Sequence, residues 1–125
     1  MRVVLGAAYE CALDEAVDYL LGVGAQTAAQ QLLDEAYDVL PQRLAQLPHI
    51  GRAFVAQHPE AADVRSVWAA VCELLGQDIE LREYVFGDYL VLYAIQGNTL
   101  HLLTLRHHRQ SGFHFDETWR DESPA

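Results

Sequence analysis

Apolar positions in the first third of the chain recur at helical spacing. The short β-branched run at 2–8 predicts a strand, and two amphipathic segments follow it, separated by Gly22 and Gly24. Because so brief a connection leaves little choice of direction, the segments are predicted to pair as an antiparallel helical hairpin. Pro41 should kink or end the second helix, because it lacks a backbone N–H. The predicted apolar faces contain Leu13, Ala16, Val17, Leu20 and Leu21 in the first helix, and Ala29, Leu32, Leu33, Ala36, Tyr37 and Leu40 in the second.

A third helical pattern follows a predicted loop at 49–59. Its apolar positions again lie three and four apart, with Asp63 near the start and Gly76 after the last one. The pattern predicts a third helix with an apolar face made of Val64, Val67, Trp68, Val71, Leu74 and Leu75.

The second half changes to strand-like runs at 79–86, 89–96 and 99–107. Gly87-Asp88 and Gly97-Asn98 separate the runs, and both dipeptides suit two-residue hairpin turns. The sequence therefore predicts a three-stranded antiparallel meander. Its middle run is apolar on both faces, which requires cover on both sides or a partner on one.

These elements define an α+β protein. In chain order they are an N-terminal strand, an antiparallel helical hairpin, an inserted third helix and the three-stranded meander. The length of 125 residues suits one domain spanning 1–125, with an inserted helical segment at about 53–77 and a C-terminal tail at 111–125. The tail, which holds Phe113, Phe115 and Trp119, is expected to pack in part and to fray at its end.

The charge balance narrows the function classes. The chain has eight Arg, no Lys and 18 Asp plus Glu, for a formal net charge of −10. Such a chain repels phosphate backbones, so contact with nucleic acid would depend on the one basic island near the C-terminus. No apolar stretch reaches the roughly 20 residues that a membrane span needs, and the N-terminus turns acidic before a signal core develops. We expect a cytoplasmic protein without a membrane partner.

The cysteines and histidines predict no metal or cofactor. Cys11 and Cys72 are isolated, which indicates buried, reduced thiols. The six histidines match no standard ligand spacing. They are His49, His58, His101, His107, His108 and His114.

Two stretches carry a resemblance to a known family. The helical hairpin ends in LPHIGR at 47–52, and the meander reads ELREYVFGDYLVLYAIQGNTLHLLTLRHHRQ at 80–110. Both resemble the RelE/ParE toxin superfamily, in which a Pro-containing turn and Gly-Arg follow the second helix. A Leu-Arg strand, a Tyr-rich strand and a last strand with a basic end complete that pattern. The segment at about 53–77 is longer than is usual in this superfamily.

The resemblance implies the toxin of a bacterial type II toxin–antitoxin system, or plasmid stabilisation protein. Some members cleave mRNA in the ribosome, which needs cations on phosphates and groups that move protons. The candidates here are Arg82, Arg106, His108 and Arg109, none of which is assigned a catalytic role. By strand alternation Arg106 and His108 share a face and His107 lies on the other, so Arg106 and His108 are the preferred pair.

Charge favours the ParE-like, non-hydrolytic branch, because a ribosomal site requires a strongly basic face. The resemblance alone makes DNA gyrase a candidate target. Two alternatives stay open, namely a RelE-like ribosome-dependent mRNA endonuclease and a degenerate, non-toxic member that acts as an interaction protein. Whether the chain is an enzyme is left undecided.

A cognate antitoxin is the partner that the resemblance implies most strongly. The sheet carries more aromatic surface than one helical hairpin is expected to cover, so an antitoxin surface is predicted at Tyr84, Phe86, Tyr89, Val91 and Tyr93. Alternatively, the inserted helix covers these side chains. A homodimer and a toxin–antitoxin hetero-oligomer are both compatible with the sequence.

Overall fold

A sheet with helices on both faces forms the fold. The computed structural model describes residues 1–54 and 62–107. In chain order the elements are β1 (Arg2–Leu5), α1 (Ala7–Gly22), α2 (Gln26–Asp34), a π-helix (Glu35–Val39), α3 (Leu40–Gln46), β2 (Arg52–Ala53), α4 (Ala62–Leu75), β3 (Glu80–Phe86), β4 (Tyr89–Gln96) and β5 (Thr99–His107).

The sheet has five strands in the order β1-β5-β4-β3-β2. The antiparallel meander β3-β4-β5 is confirmed, and its two turns are made by Gly87 and Gly97, each with a φ of 57°. β1 pairs with β5 in parallel. The predicted loop at 49–59 was wrong at Arg52–Ala53, which pairs with β3 as an edge strand.

Different helices pack on the two faces of the sheet. The helical hairpin covers one face, where Tyr9, Leu13 and Leu44 pack on Val91 and Tyr93. On the other face, Val71 of α4 packs on Leu81 and Leu92. Cover on both sides of β4 is therefore confirmed, and the inserted helix lies on the face opposite the hairpin. Burial of each such side chain contributes about 1.5–3 kcal/mol.

A β-bulge in β5 changes which side chains share a face. Leu92 pairs with Thr104 and Tyr93 pairs with Leu102, so Leu103 is the extra residue. Leu102 and Leu105 consequently both belong to the hairpin-side core, although three positions separate them, and Leu103 belongs to the other core. Beyond the bulge, Arg106 lies opposite Leu90 and His107 lies opposite Tyr89.

Pro41 does not end the second helix, because the backbone hydrogen bonds change to those of a π-helix just before it. The Leu40 N–H bonds to the Glu35 carbonyl, five residues back, which leaves the Ala36 carbonyl without that donor. In the same register the next donor would be residue 41, and proline has none. The buried Tyr9 hydroxyl donates to the Ala36 carbonyl instead, at 2.8 Å. The first helix thus completes the hydrogen bonding of the second.

The π-helix also corrects the predicted apolar face. Ala36, Leu40 and Leu44 are all buried, and successive steps of four residues would drift about 40° each around an ideal α-helix. A π turn contains more residues than an α turn, so each residue rotates less about the helix axis and part of that drift is offset. Tyr37, predicted to belong to the apolar face, is instead 41% exposed.

Replacing Tyr9 tests this bridge. Tyr9→Phe keeps the ring but leaves the buried Ala36 carbonyl unsatisfied, and the free energy of unfolding should fall by about 1–3 kcal/mol in denaturant titration. Tyr19→Phe, in a side chain that is 70% exposed, should change it by less than about 0.5 kcal/mol.

The same bridge depends on Pro41. In a Pro41→Ala background residue 41 regains an N–H, so Tyr9→Phe should cost less there than in the native chain. An equal cost in both backgrounds would show that the hydroxyl does not replace the donor lost at Pro41.

Candidate functional site

The loop between α3 and β2 is fastened to the sheet by two side chains. The Tyr93 hydroxyl donates to the Pro48 carbonyl at 2.7 Å and accepts the Gly51 N–H at 3.0 Å. Arg82 donates from Nε to the Gly51 carbonyl at 2.8 Å and from Nη2 to the His49 carbonyl at 3.1 Å. We call these contacts the loop clamp. They join the end of the helical hairpin to β3 and β4.

Gly51 is required in the loop clamp because nothing larger fits. A Cβ at this position would lie 2.5 Å from the Glu83 carbonyl oxygen and 2.6 Å from the Tyr93 hydroxyl. The close approach also brings Arg52 into register with Glu83. The Gly-Arg of the LPHIGR stretch is thus explained by packing and strand pairing.

The Arg82 guanidinium is largely occupied by the protein itself. Besides the carbonyls of the loop, Nη1 bonds to Glu80 Oε2 at 2.8 Å, and the same oxygen lies 3.3 Å from His49 Nε2. Sequence reasoning proposed Arg82 as a phosphate-binding candidate and did not single out Glu80. Glu80 is the first residue of β3 and His49 lies in a loop, and such a pairing leaves no local signal in the sequence.

Arg106 lies on the opposite face of the sheet from Arg82. Arg82 is paired with Tyr93, whose side chain belongs to the hairpin-side core, whereas Arg106 is paired with Leu90 on the other side of the alternation. Arg106 is half-buried, and its Nη1 lies 3.5 Å from the His107 carbonyl. The two arginines are therefore not brought together. The other candidates, His108 and Arg109, lie outside the described residues.

The predicted antitoxin residues divide into two groups. Val91 and Tyr93 are fully buried, and Phe86 is 8% exposed, all under the helical hairpin. The inserted helix does not cover them, because α4 lies on the other face. Tyr84 and Tyr89 are half-buried. These two therefore keep the accessible aromatic area of the set, and Tyr89 packs edge-on against the His107 ring with the ring centroids 5.4 Å apart.

Two buried tyrosines have a raised pKa. Burial raises the pKa of the Tyr93 phenol, although the Gly51 N–H and the nearby Arg82 act in the opposite direction. Burial also raises the pKa of Tyr9. Each hydroxyl is thus held protonated, as its donated hydrogen bond requires.

Two kinds of feature are absent from the described part of the chain. Within 1–54 and 62–107 no helix is long and apolar enough to span a membrane. In the same residues no three or more His, Cys, Asp or Glu side chains come together as a metal-ion site. The predicted burial of the two thiols was wrong for Cys11, which is exposed, whereas Cys72 is half-buried.

The fold and these motifs agree with a known toxin family. The family described as the ParE toxin of the type II toxin–antitoxin system, parDE, matches residues 7–112, which is well over half of the chain. The chain belongs to this family, and its membership implies a cognate antitoxin as partner. A comparison with curated proteins gave no match.

Enlarging Gly51 should break the loop clamp. Gly51→Ala places a methyl group against the Glu83 carbonyl and the Tyr93 hydroxyl, so the free energy of unfolding should fall by about 1–3 kcal/mol. Gly22→Ala is the matched control, because a Cβ there has nothing within 4 Å. That control should leave stability unchanged or raise it by up to about 1 kcal/mol. Similar values for the two variants would contradict the packing role of Gly51.

The clamp tyrosine should make the protein sensitive to alkaline pH. The pKa of Tyr93 is raised in the folded state, so its contribution to stability is complete below the ordinary value of 10.0 and is lost as the pH rises above it. Denaturant titrations across this range should show a falling free energy of unfolding. The decline should be shallower in Tyr93→Phe, and an equally steep decline would argue against this ionisation.

Proposed function

We propose that this chain is a ParE-like toxin that arrests growth by binding an essential target, with DNA gyrase as the candidate. Membership of the ParE toxin family supports the toxin role. The choice of branch rests on one observation above all, namely that the Arg82 guanidinium is engaged by loop carbonyls and Glu80. An arginine used in this way has little capacity left to hold a scissile phosphate.

The placement of the other cations supports the same branch. Arg82 and Arg106 lie on opposite faces of the sheet, whereas a ribonuclease site needs its cations around one phosphate. The net charge of −10 also opposes entry into a site lined with ribosomal RNA, since each phosphate contact there gains affinity through counterion release.

Regulated expression tests this proposal. Induction should stop colony formation and induce the DNA-damage response, and co-expression of the cognate antitoxin should restore growth. Purified toxin should inhibit DNA supercoiling by gyrase, and primer extension on cellular mRNA should reveal no new cuts.

Arg106→Ala provides the control that separates the branches. A binding toxin should keep its toxicity when Arg106 is removed, whereas a ribosome-dependent endonuclease that uses Arg106 with His108 should lose its mRNA cuts together with its toxicity. Codon-positioned cuts that disappear in Arg106→Ala would overturn the proposal. Harmless expression with retained antitoxin binding would instead indicate a non-toxic family member.

A further inference from the structure

An open groove of about 510 Å³ lies between the second helix and the sheet edge. One wall comes from the π-helix and α3, and the other from the clamped loop and β3. We call it the α3 groove. It is lined by Asp38, Val39, Gln42, Arg43, Gln46, Leu47, Ile50 and Tyr84. Its volume lies in the range of roughly 300–1,000 Å³ that is usual for ligand pockets.

The rim of the groove exposes apolar side chains to solvent. Val39 is 45% exposed, and Leu47 and Ile50 are also among the exposed large hydrophobic residues. With the π-helix in place, Leu40 and Leu44 belong to the buried face of the second helix and Val39 belongs to its exposed face. These three side chains contribute apolar surface to one concavity, in which an aliphatic side chain of a partner would be shielded from water.

The groove also contains a cation, Arg43, that forms no ion pair among the described residues, although Asp38 lines the same groove. Arg43 is the only basic residue of the helical hairpin, 7–46, which carries seven acidic ones. Its Nη1 donates to the Tyr84 hydroxyl at 3.2 Å, which holds the guanidinium across the groove. This bond uses one N–H of the guanidinium, so the remaining N–H groups can donate to a partner carboxylate.

We infer that the α3 groove is the seat for a segment of the cognate antitoxin that places an aliphatic side chain between Val39 and Ile50 and a carboxylate on Arg43. The inference rests on the toxin–antitoxin function proposed above and specifies the chemistry of that partner. The carboxylate belongs on Arg43, because the other charged side chain of the lining, Asp38, would repel it.

Two matched valines test the apolar part of this inference. Val39 lies in the groove, and Val85, which is 48% exposed, lies on β3 next to Tyr84 and points to the opposite face. In calorimetric titrations with the purified, full-length antitoxin, Val39→Ser and Ile50→Ser should each raise Kd roughly tenfold. Val85→Ser should change Kd by less than about twofold.

Two charge changes of opposite sign test the acidic part. Arg43→Gln removes the cation and should raise Kd by about threefold to tenfold, whereas Asp38→Asn removes the repulsion and should lower Kd by about twofold. Both effects should shrink as salt is added. Denaturant titration of each variant separates lost binding from lost folding.

The outcomes distinguish this inference from the proposed function. An antitoxin that binds the native chain tightly but is indifferent to Val39, Ile50 and Arg43 would overturn the groove and leave the toxin function standing. Stronger binding by Arg43→Gln and weaker binding by Asp38→Asn would indicate a basic segment and would also overturn it. Groove-dependent binding without growth arrest would support the groove and contradict the toxin function.

Discussion

The loop clamp is the constraint on which the rest of the structure depends. Tyr93 and Arg82 belong to adjacent central strands, and together they bind the Pro48, His49 and Gly51 backbone. Removing either side chain would leave buried or half-buried backbone groups unsatisfied, which costs more than a typical hydrogen bond contributes. The same contacts set the direction in which the chain leaves α3, and they bring Arg52 alongside β3. The helical hairpin, the edge strand and one wall of the α3 groove are thus positioned by one set of hydrogen bonds.

A second constraint acts within the helical layer. Pro41 removes a donor from the second helix, and the π-helix moves the missing bond to the Ala36 carbonyl, where the Tyr9 hydroxyl replaces it. The hydroxyl is raised in pKa by burial, so it stays a donor across the neutral range. A proline that would weaken an isolated helix therefore specifies how the two helices pack. It also accounts for the exposure of Val39 and Tyr37, which a continuous α-helix would turn differently.

Periodicity in the sequence was sufficient to predict the helical hairpin, α4, the meander and its two glycine turns, because each depends on local patterns of apolar and turn-forming residues. It did not predict β2, whose two residues pair only because Gly51 approaches β3 closely. The β5 bulge was also missed. Without that extra residue at Leu103, strand alternation would place Arg106 on the same face as Leu102 and the helical hairpin. Val91 and Tyr93 of β4 were predicted to belong to an antitoxin surface, but both are buried under the hairpin, and that burial depends on tertiary packing that no local pattern encodes.

The placement of three arginines supports the proposed role in recognition over one in hydrolysis. A hydrolytic site concentrates cations around one phosphate, whereas here Arg82 is used to hold a loop, Arg106 lies on the other face and Arg43 lies in the α3 groove. Because Arg43 is the one basic residue of a helical hairpin with seven acidic ones, a partner carboxylate would be attracted at Arg43 and repelled by the acidic residues. Attraction at Arg43, together with repulsion by the surrounding acidic residues, would then favour one binding position for the antitoxin. The loop clamp contributes to that selectivity, because it fixes the wall of the groove that faces Arg43.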